Sequence, residues 1–361
     1  MTYFPPKQPA FNYLHHLALM YGDAQQPWTV DDLSFYVVHQ SAPGIWQDWL
    51  FDSFLFLNIA SKNKRDYRAD INLGTTMSGE GDFFAACSPQ PAGVAEWEEL
   101  LDFYSDAVRT LNQTIKQLIP HINTPLTTQR NAVLMIPYPH ITQVDFGRSG
   151  WNFSTQGQNL DQATRARLSA CQWFIEELKK RLPACEYVHI LGVYWMFETV
   201  FRSWEVDDHW LLKELRPFIH QMGYKFLWIP FYSTYNIHLL DDYQNYYFDL
   251  AFLQPNYMFY QRGVNLAQAA QAAQKRQAGL EIEYYLELDE PIAVQGERHQ
   301  RFREYLDGGV TYGYMRESAC AYFLGQKSLE RMAIHPDPQE WEFYQDIYHF
   351  IRGTYIPKSL R

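Results

Sequence analysis

No two of the four cysteines, Cys87, Cys171, Cys185 and Cys320, stand at C-x-x-C spacing. Neither a zinc ribbon nor a redox dithiol is therefore encoded, and reduced, buried thiols are the expectation. The histidines are equally patternless. His15–His16 and His238 form no ligand spacing and H-E-x-x-H is missing, so no metal is expected. G-x-S-x-G is missing as well, which leaves a serine-hydrolase elbow unsupported. So is a Gly-rich phosphate loop after an early strand, which counts against a doubly wound nucleotide-binding sheet and leaves no cofactor expected.

Positive charge is scarce: Lys and Arg total 30 against 41 Asp and Glu, a net charge of -11. Phosphate binding needs a positive field, so nucleic acid is disfavoured as a partner, whereas a neutral sugar is not. No apolar run is long enough to span a bilayer, so no membrane partner is expected. The opening MTYFPPKQPAFNYLHH lacks a basic start followed by an apolar run. That predicts a cytoplasmic protein, or an exported one whose leader has been removed.

What the chain does contain is apolar and aromatic mass. Apolar residues make up 47% of the 361 positions, enough for one large core, and the aromatic share of 17% is unusually rich, much of it core. Some of those rings are candidates for flat platforms under sugar rings, although core packing is the better reading for any single one.

Short apolar runs alternate with longer amphipathic ones, the pattern of βα units around a parallel sheet. Strands are predicted at residues 14–21, 50–59, 132–138, 187–197, 225–232, 248–253, 280–286 and 310–314. Helices are predicted from Thr29, with Asp31 and Asp32 in the first turn, and over 97–118, 161–182, 207–222, 265–278, 297–306 and 338–351. Eight such units predict one α/β domain over 1–361, a (β/α)8 barrel with a core at about 13–352 and long top loops after the second and third strands.

In such barrels chemistry sits at the C-terminal ends of the strands. Along Leu280-Glu281-Ile282-Glu283-Tyr284, apolar residues alternate with glutamates. If Leu280, Ile282 and Tyr284 pack under the helices, Glu281 and Glu283 point into the lumen. Buried carboxylates are costly unless paired or hydrogen-bonded, so two at strand spacing suggest a purpose; the blander reading is a solvated edge strand. Glu287 keeps the same parity as a reserve or rim residue. Glu198 is the first charge after the long fourth run, which places it at the mouth, unless it simply caps a helix N-terminus.

A carboxyl from strand four facing one from strand seven is the equipment for glycoside hydrolysis. Glu198 would be the acid/base, its pKa raised by aromatic surroundings, and Glu283 the nucleophile or base, with Glu281 orienting or charge-balancing it. Gln254 and Asn256 share a face and are candidates for binding sugar hydroxyls. Tyr194, Trp195, Tyr257, Tyr138 and Asp52 are further candidate substrate contacts. His140, Asp145 and Arg148 are weaker ones.

The runs WLFDSFLFL (49–57), GVYWMFE (192–198), FLWIPFY (226–232), FDLAFLQPNY (248–257) and GLEIE (279–283) resemble a bacterial family known as domain of unknown function 4855. The resemblance implies a glycosidase-like barrel and draws attention to Glu198, Gln254, Asn256, Glu281 and Glu283. It implies no substrate. The pattern is also similar to retaining glycosidases with an acid/base after strand four and a nucleophile on strand seven. Here aromatics, not the Asn common in those enzymes, precede the strand-four acid. A carbohydrate substrate is thus the expected partner. A non-catalytic sugar-binding barrel and a barrel lyase or transglycosylase stay open beside the hydrolase.

Overall fold

The structure, a computed structural model, describes residues 2–22, 27–65, 67, 91–232, 237–259, 265–287, 289–335 and 337–358. Its ten strands are β1 (His16–Gly22), β2 (Val38–Ala42), β3 (Ile45–Trp49), β4 (Ser53–Asn58), β5 (Arg130–Ile136), β6 (Val188–Trp195), β7 (Lys225–Trp228), β8 (Leu250–Leu253), β9 (Gly279–Glu283) and β10 (Cys320–Phe323). Eight of them close into a parallel barrel in the order β1-β10-β9-β8-β7-β6-β5-β4, with β4 paired back to β1. Helices lie between the strands: α1 (Val30–Val37), α2 (Val94–Leu118), α3 (Leu160–Arg181), α4 (Asp208–Gln221), α5 (Tyr243–Tyr246), α6 (Leu266–Lys275), α7 (Ile292–Thr311), α8 (Tyr314–Glu317), α9 (Ser328–Ile334) and α10 (Pro338–Ile351). The expected (β/α)8 architecture is present.

Local chemistry explains these elements. Thr29 and Asp32 exchange side-chain and backbone hydrogen bonds in a capping box that starts α1, and Asn159 with Gln162 does the same for α3. Along α2, Leu100, Tyr104, Ala107, Leu111, Ile115 and Leu118 are buried at helical spacing against the sheet. Gly223, at φ +86°, ends the turn after α4 in a left-handed conformation.

Two expectations change. The eighth strand is not at 310–314: that stretch is the end of α7 and the start of α8, and the strand is β10. Gly308 and Gly309 imitate a helix stop, but they serve close packing. A Cβ on Gly309 would lie 2.2 Å from the Phe350 ring of α10. The second change is an antiparallel hairpin, β2–β3, before the second barrel strand. It packs on the helical coat, where the His39 ring stacks on Tyr348 of α10 at 3.8 Å.

The registers fix which side chains enter the barrel, because neighbours paired in a parallel sheet project to the same side. Leu17 pairs with Ser53 and Ala321, Ala321 with Glu281, Tyr21 with Leu57, Phe323 with Glu283, Met135 with Tyr194, and Tyr194 with Leu227. These residues line the lumen. The opposite face of β9 carries Tyr284, whose ring packs on Phe302 and Phe343 of the helical coat. The parity read for β9 therefore holds.

At the N-terminal end, the His15 and His16 rings stand 3.7 Å apart, and each has a buried Nε2 with no hydrogen-bond partner. Burial, followed by Lys7, pushes His15 down to about 3; burial, followed by neighbouring His15, holds His16 well below its ordinary value. The unfolded chain binds protons at these rings near pH 6.5 and the folded one does not. Stability therefore falls as pH drops below about 6.5, by up to about 1.4 kcal/mol per pH unit for each ring. Asp52, raised by burial, contributes with the opposite sign. Urea unfolding between pH 7.5 and pH 5 checks the direction, and an H15Q variant should flatten the slope.

Among the described residues no helix is long and apolar enough to cross a membrane. Cys171 and Cys320 are buried free thiols and Cys185 is a half-buried one; Cys87 lies outside the described residues. Of the expected top loops, the one after β4 lies largely outside them too.

Candidate active site

Three glutamates converge at the C-terminal end of the barrel. Glu281 and Glu283 project from β9 into the lumen, both fully buried. Glu198 follows β6 at the same parity as Tyr194 and is enclosed by protein on most sides, keeping a solvent-accessible face. The Gln254 side chain, two residues past Phe252 on the inner face of β8, lies against Glu198; with the amide oriented as its neighbours require, the NH2 donates to both carboxylate oxygens at 3.2 Å. Tyr194 sits close enough to feel the charges of both Glu198 and Glu281.

The three carboxyls are held differently. Glu283 accepts the Asn256 N–H at 3.1 Å on one oxygen and the Met258 N–H at 3.3 Å on the other. The Tyr305 hydroxyl donates to that second oxygen as well. The Tyr305 oxygen already accepts the Tyr257 N–H at 3.2 Å, so its single proton is committed to Glu283. Asn256, at φ +58°, takes the left-handed turn that aims its N–H at the carboxylate. Burial still pushes Glu283 up to about 7, with Tyr305 and the Met258 N–H pulling the other way. Glu198 also reaches about 7, through burial, with the Gln254 amide as its one counterweight. Glu281 is the extreme case. Burial, then Glu283, then Glu198 drive it well above the usual range, and its Oε2 has no partner. All three influences favour its protonated form.

Glu198, Gln254, Glu281, Glu283 and Tyr194 are thus brought together, with Asn256 contributing its backbone. Other candidates belong elsewhere. Asp52 stands at the opposite end of the barrel, where its carboxylate accepts the His15 and His16 N–H groups at 3.0 Å each and the Ser53 hydroxyl at 2.7 Å. It precedes its strand instead of following it. Trp195 has the wrong parity for the lumen: fully buried, it meets the Tyr138 ring at 5.5 Å. The Tyr138 hydroxyl is spent on Asp208, 3.1 Å away. Tyr257 turns to the helical coat, its hydroxyl on Glu304 and its carbonyl on Arg301. Glu287 is exposed and bonded to the Tyr285 hydroxyl, a rim residue. Likewise His140 is bonded to Thr142 and Asp145 to the Gly147 N–H, while Arg148 lies over the Trp173 ring.

Sequence reasoning missed Tyr305. It lies on α7, the next helix after β9, and nothing in its local pattern separates it from a core tyrosine. It also missed Tyr21, Tyr285 and Phe323, which border the mouth. No cluster of three or more His, Cys, Asp or Glu suited to a metal ion occurs among the described residues.

Solved structures similar to this chain include two mutant tryptophan synthase alpha-subunits from the hyperthermophile Pyrococcus furiosus. One shares 10% identity over 97% of this chain and 99% of that one, with a TM-score of 0.40. The other shares 11% over the same coverage, with a TM-score of 0.43. Superposition that loose says nothing of chemistry, and the fold rests on the strand pairing. No curated protein matches the sequence. A family model does, over residues 16–349, and the chain belongs to that family, described as "Domain of unknown function (DUF4855)".

Proposed function

We propose that this barrel is a glycoside hydrolase in which Glu198 is the acid/base and Glu283 the nucleophile or base. The supporting observation is the unequal treatment of the carboxyls meeting at one mouth. Glu283 has three donors aimed at it, which favour its ionised form. Glu198 has one amide, in surroundings that favour the protonated form. Hydrolysis needs that division. Glu198 gives its proton to the glycosidic oxygen as the C–O bond breaks. Glu283 attacks the anomeric carbon, or takes a proton from the water that does. Glu281, in the protonated form that its surroundings favour, adds no second negative charge beside Glu283 and keeps a hydroxyl for a hydrogen bond.

The test is a panel of oligo- and polysaccharides incubated with the purified chain, with new reducing ends as the readout. Release from at least one glycan, abolished in E283Q and slowed about 10²–10⁴-fold in E198Q, is the expected result. Binding of a glycan without release would make this a sugar-binding barrel and sink the hydrolase.

Removing one donor should move the acid limb of the pH profile. Without the Tyr305 hydroxyl, Glu283 loses part of what favours its charge, and its pKa rises. In Y305F, kcat/KM should begin to fall at a pH about one unit higher than in the native chain, with the alkaline limb unchanged. An unshifted acid limb would take the titration away from Glu283.

A further inference from the structure

Beside the carboxyls the mouth opens into a cavity of about 620 Å³ over the ends of β1, β4, β9 and β10. That volume falls within the ordinary range of about 300–1,000 Å³ for small-molecule sites. Its aromatic wall is Tyr21, Phe323 and Tyr285. Tyr21 meets Phe323 edge-on at 5.3 Å, and the Tyr285 and Phe323 rings lie within 20° of parallel at 6.3 Å. Two lining residues neighbour the glutamate site: Phe323 pairs with Glu283 across the β9–β10 ladder, and Tyr21 lies close to Tyr194.

The opposite wall carries Lys62 and Lys64, both exposed, with Gln326 at the rim. No aspartate or glutamate lines the cavity among the described residues, and there neither ammonium takes part in an ion pair. The nearby Glu99 carboxylate is occupied by the Lys62 backbone N–H at 3.0 Å. Lys62 also borders a neighbouring cleft lined by Glu98, Glu99, Asp102 and Asp106, whereas Lys64 lines this cavity only, a local cation in a chain whose net charge is -11. Aromatic faces take the C–H face of a pyranose, and lysines at the edge attract an anionic substituent from it.

We propose that this cavity is a subsite for an acidic sugar, one bearing a carboxylate or sulfate, stacked on Phe323 and Tyr285 with its charge toward Lys62 and Lys64. The proposal rests on the hydrolase reading for what happens next to the subsite, but not for the binding itself.

The experiment is calorimetric titration of the full-length E198Q/E283Q chain, in which binding is separated from turnover. The probes are matched oligosaccharides of equal length in neutral, carboxylated and sulfated form. At least one anionic member should bind about tenfold or more tightly than its neutral counterpart. That preference should disappear in a K62Q/K64Q background and shrink in 0.5 M NaCl, whereas F323A should weaken neutral and anionic members together. Equal affinity within every pair, no binding by any anionic member, or a preference that survives K62Q/K64Q overturns the subsite. The two readings fail separately. An acidic sugar that binds but is never cleaved by the native chain removes the hydrolase and leaves the subsite. Cleavage of neutral glycans with no anionic preference does the reverse.

Discussion

Glu283→Gln should leave no measurable turnover on any glycan the native chain cleaves, and Glu198→Gln should lower kcat/KM by about 10²–10⁴, the usual worth of a positioned general acid. The two changes should differ in their effect on the fold. Glu283 meets backbone N–H donors on both oxygens, from Asn256 and Met258. A glutamine must present its own NH2 to one of them, leaving an unsatisfied buried donor at a cost of about 1–3 kcal/mol. Among the described residues the side-chain partner of Glu198 is the Gln254 amide, which can rotate to suit a second amide, so E198Q should melt close to the native temperature. The native pH profile should be a narrow bell near neutrality, because both groups titrate at about 7. Its acid limb reports protonation of Glu283 and its alkaline limb deprotonation of Glu198. The apparent values belong to the coupled cluster, Glu281 included. In E198Q the alkaline limb should vanish while the acid limb stays. Full activity of E198Q across the pH range would remove Glu198 from the mechanism.

The barrel was legible because its signals are periodic. Strand β9 shows this best: five residues of strict alternation fixed the inward face, and the registers agree. Glu198 was legible for a related reason, as the first charge at the end of an apolar run. Legibility failed where a residue's role depends on what crosses from another element. Asp52 was a candidate substrate contact, yet it precedes its strand and accepts the His15 and His16 N–H groups at the wrong end. The last strand was misplaced because Gly308 and Gly309 have two readings, helix stop or close packing, and only the position of Phe350 decides between them. The same limit hid Tyr305, whose helical position says nothing about a carboxylate at the top of β9.

Arg167→Met should destabilise the fold by about 3–5 kcal/mol, as expected when one partner of a buried ion pair is removed. Arg167 and Asp208 are both almost wholly inaccessible and 2.6 Å apart. Arg167 also donates to the Pro139 carbonyl at 2.7 Å, and Asp208 accepts from the Tyr138 hydroxyl at 3.1 Å and the Phe201 N–H at 3.3 Å. The pair thus ties the chain after β5 to the chain after β6, three residues past Glu198. Without Arg167 the Asp208 carboxylate stays buried with two neutral donors and the α4 N-terminus, which offset only part of its desolvation. Urea unfolding measures the loss. The double variant R167M/D208L separates charge from packing: it should be less destabilised than R167M alone, because no uncompensated charge remains. Activity should be affected as well. The Phe201 N–H donates to the Asp208 carboxylate at 3.3 Å, and the Phe201 carbonyl accepts the Asp208 N–H at 2.9 Å; together these bonds hold the Glu198 segment against α4. An R167M chain that is still folded should therefore lose kcat more than it gains KM, since the acid is misplaced while the aromatic wall by Phe323 is untouched. Native stability in R167M would mean that the guanidinium–carboxylate contact contributes nothing beyond the packing around it.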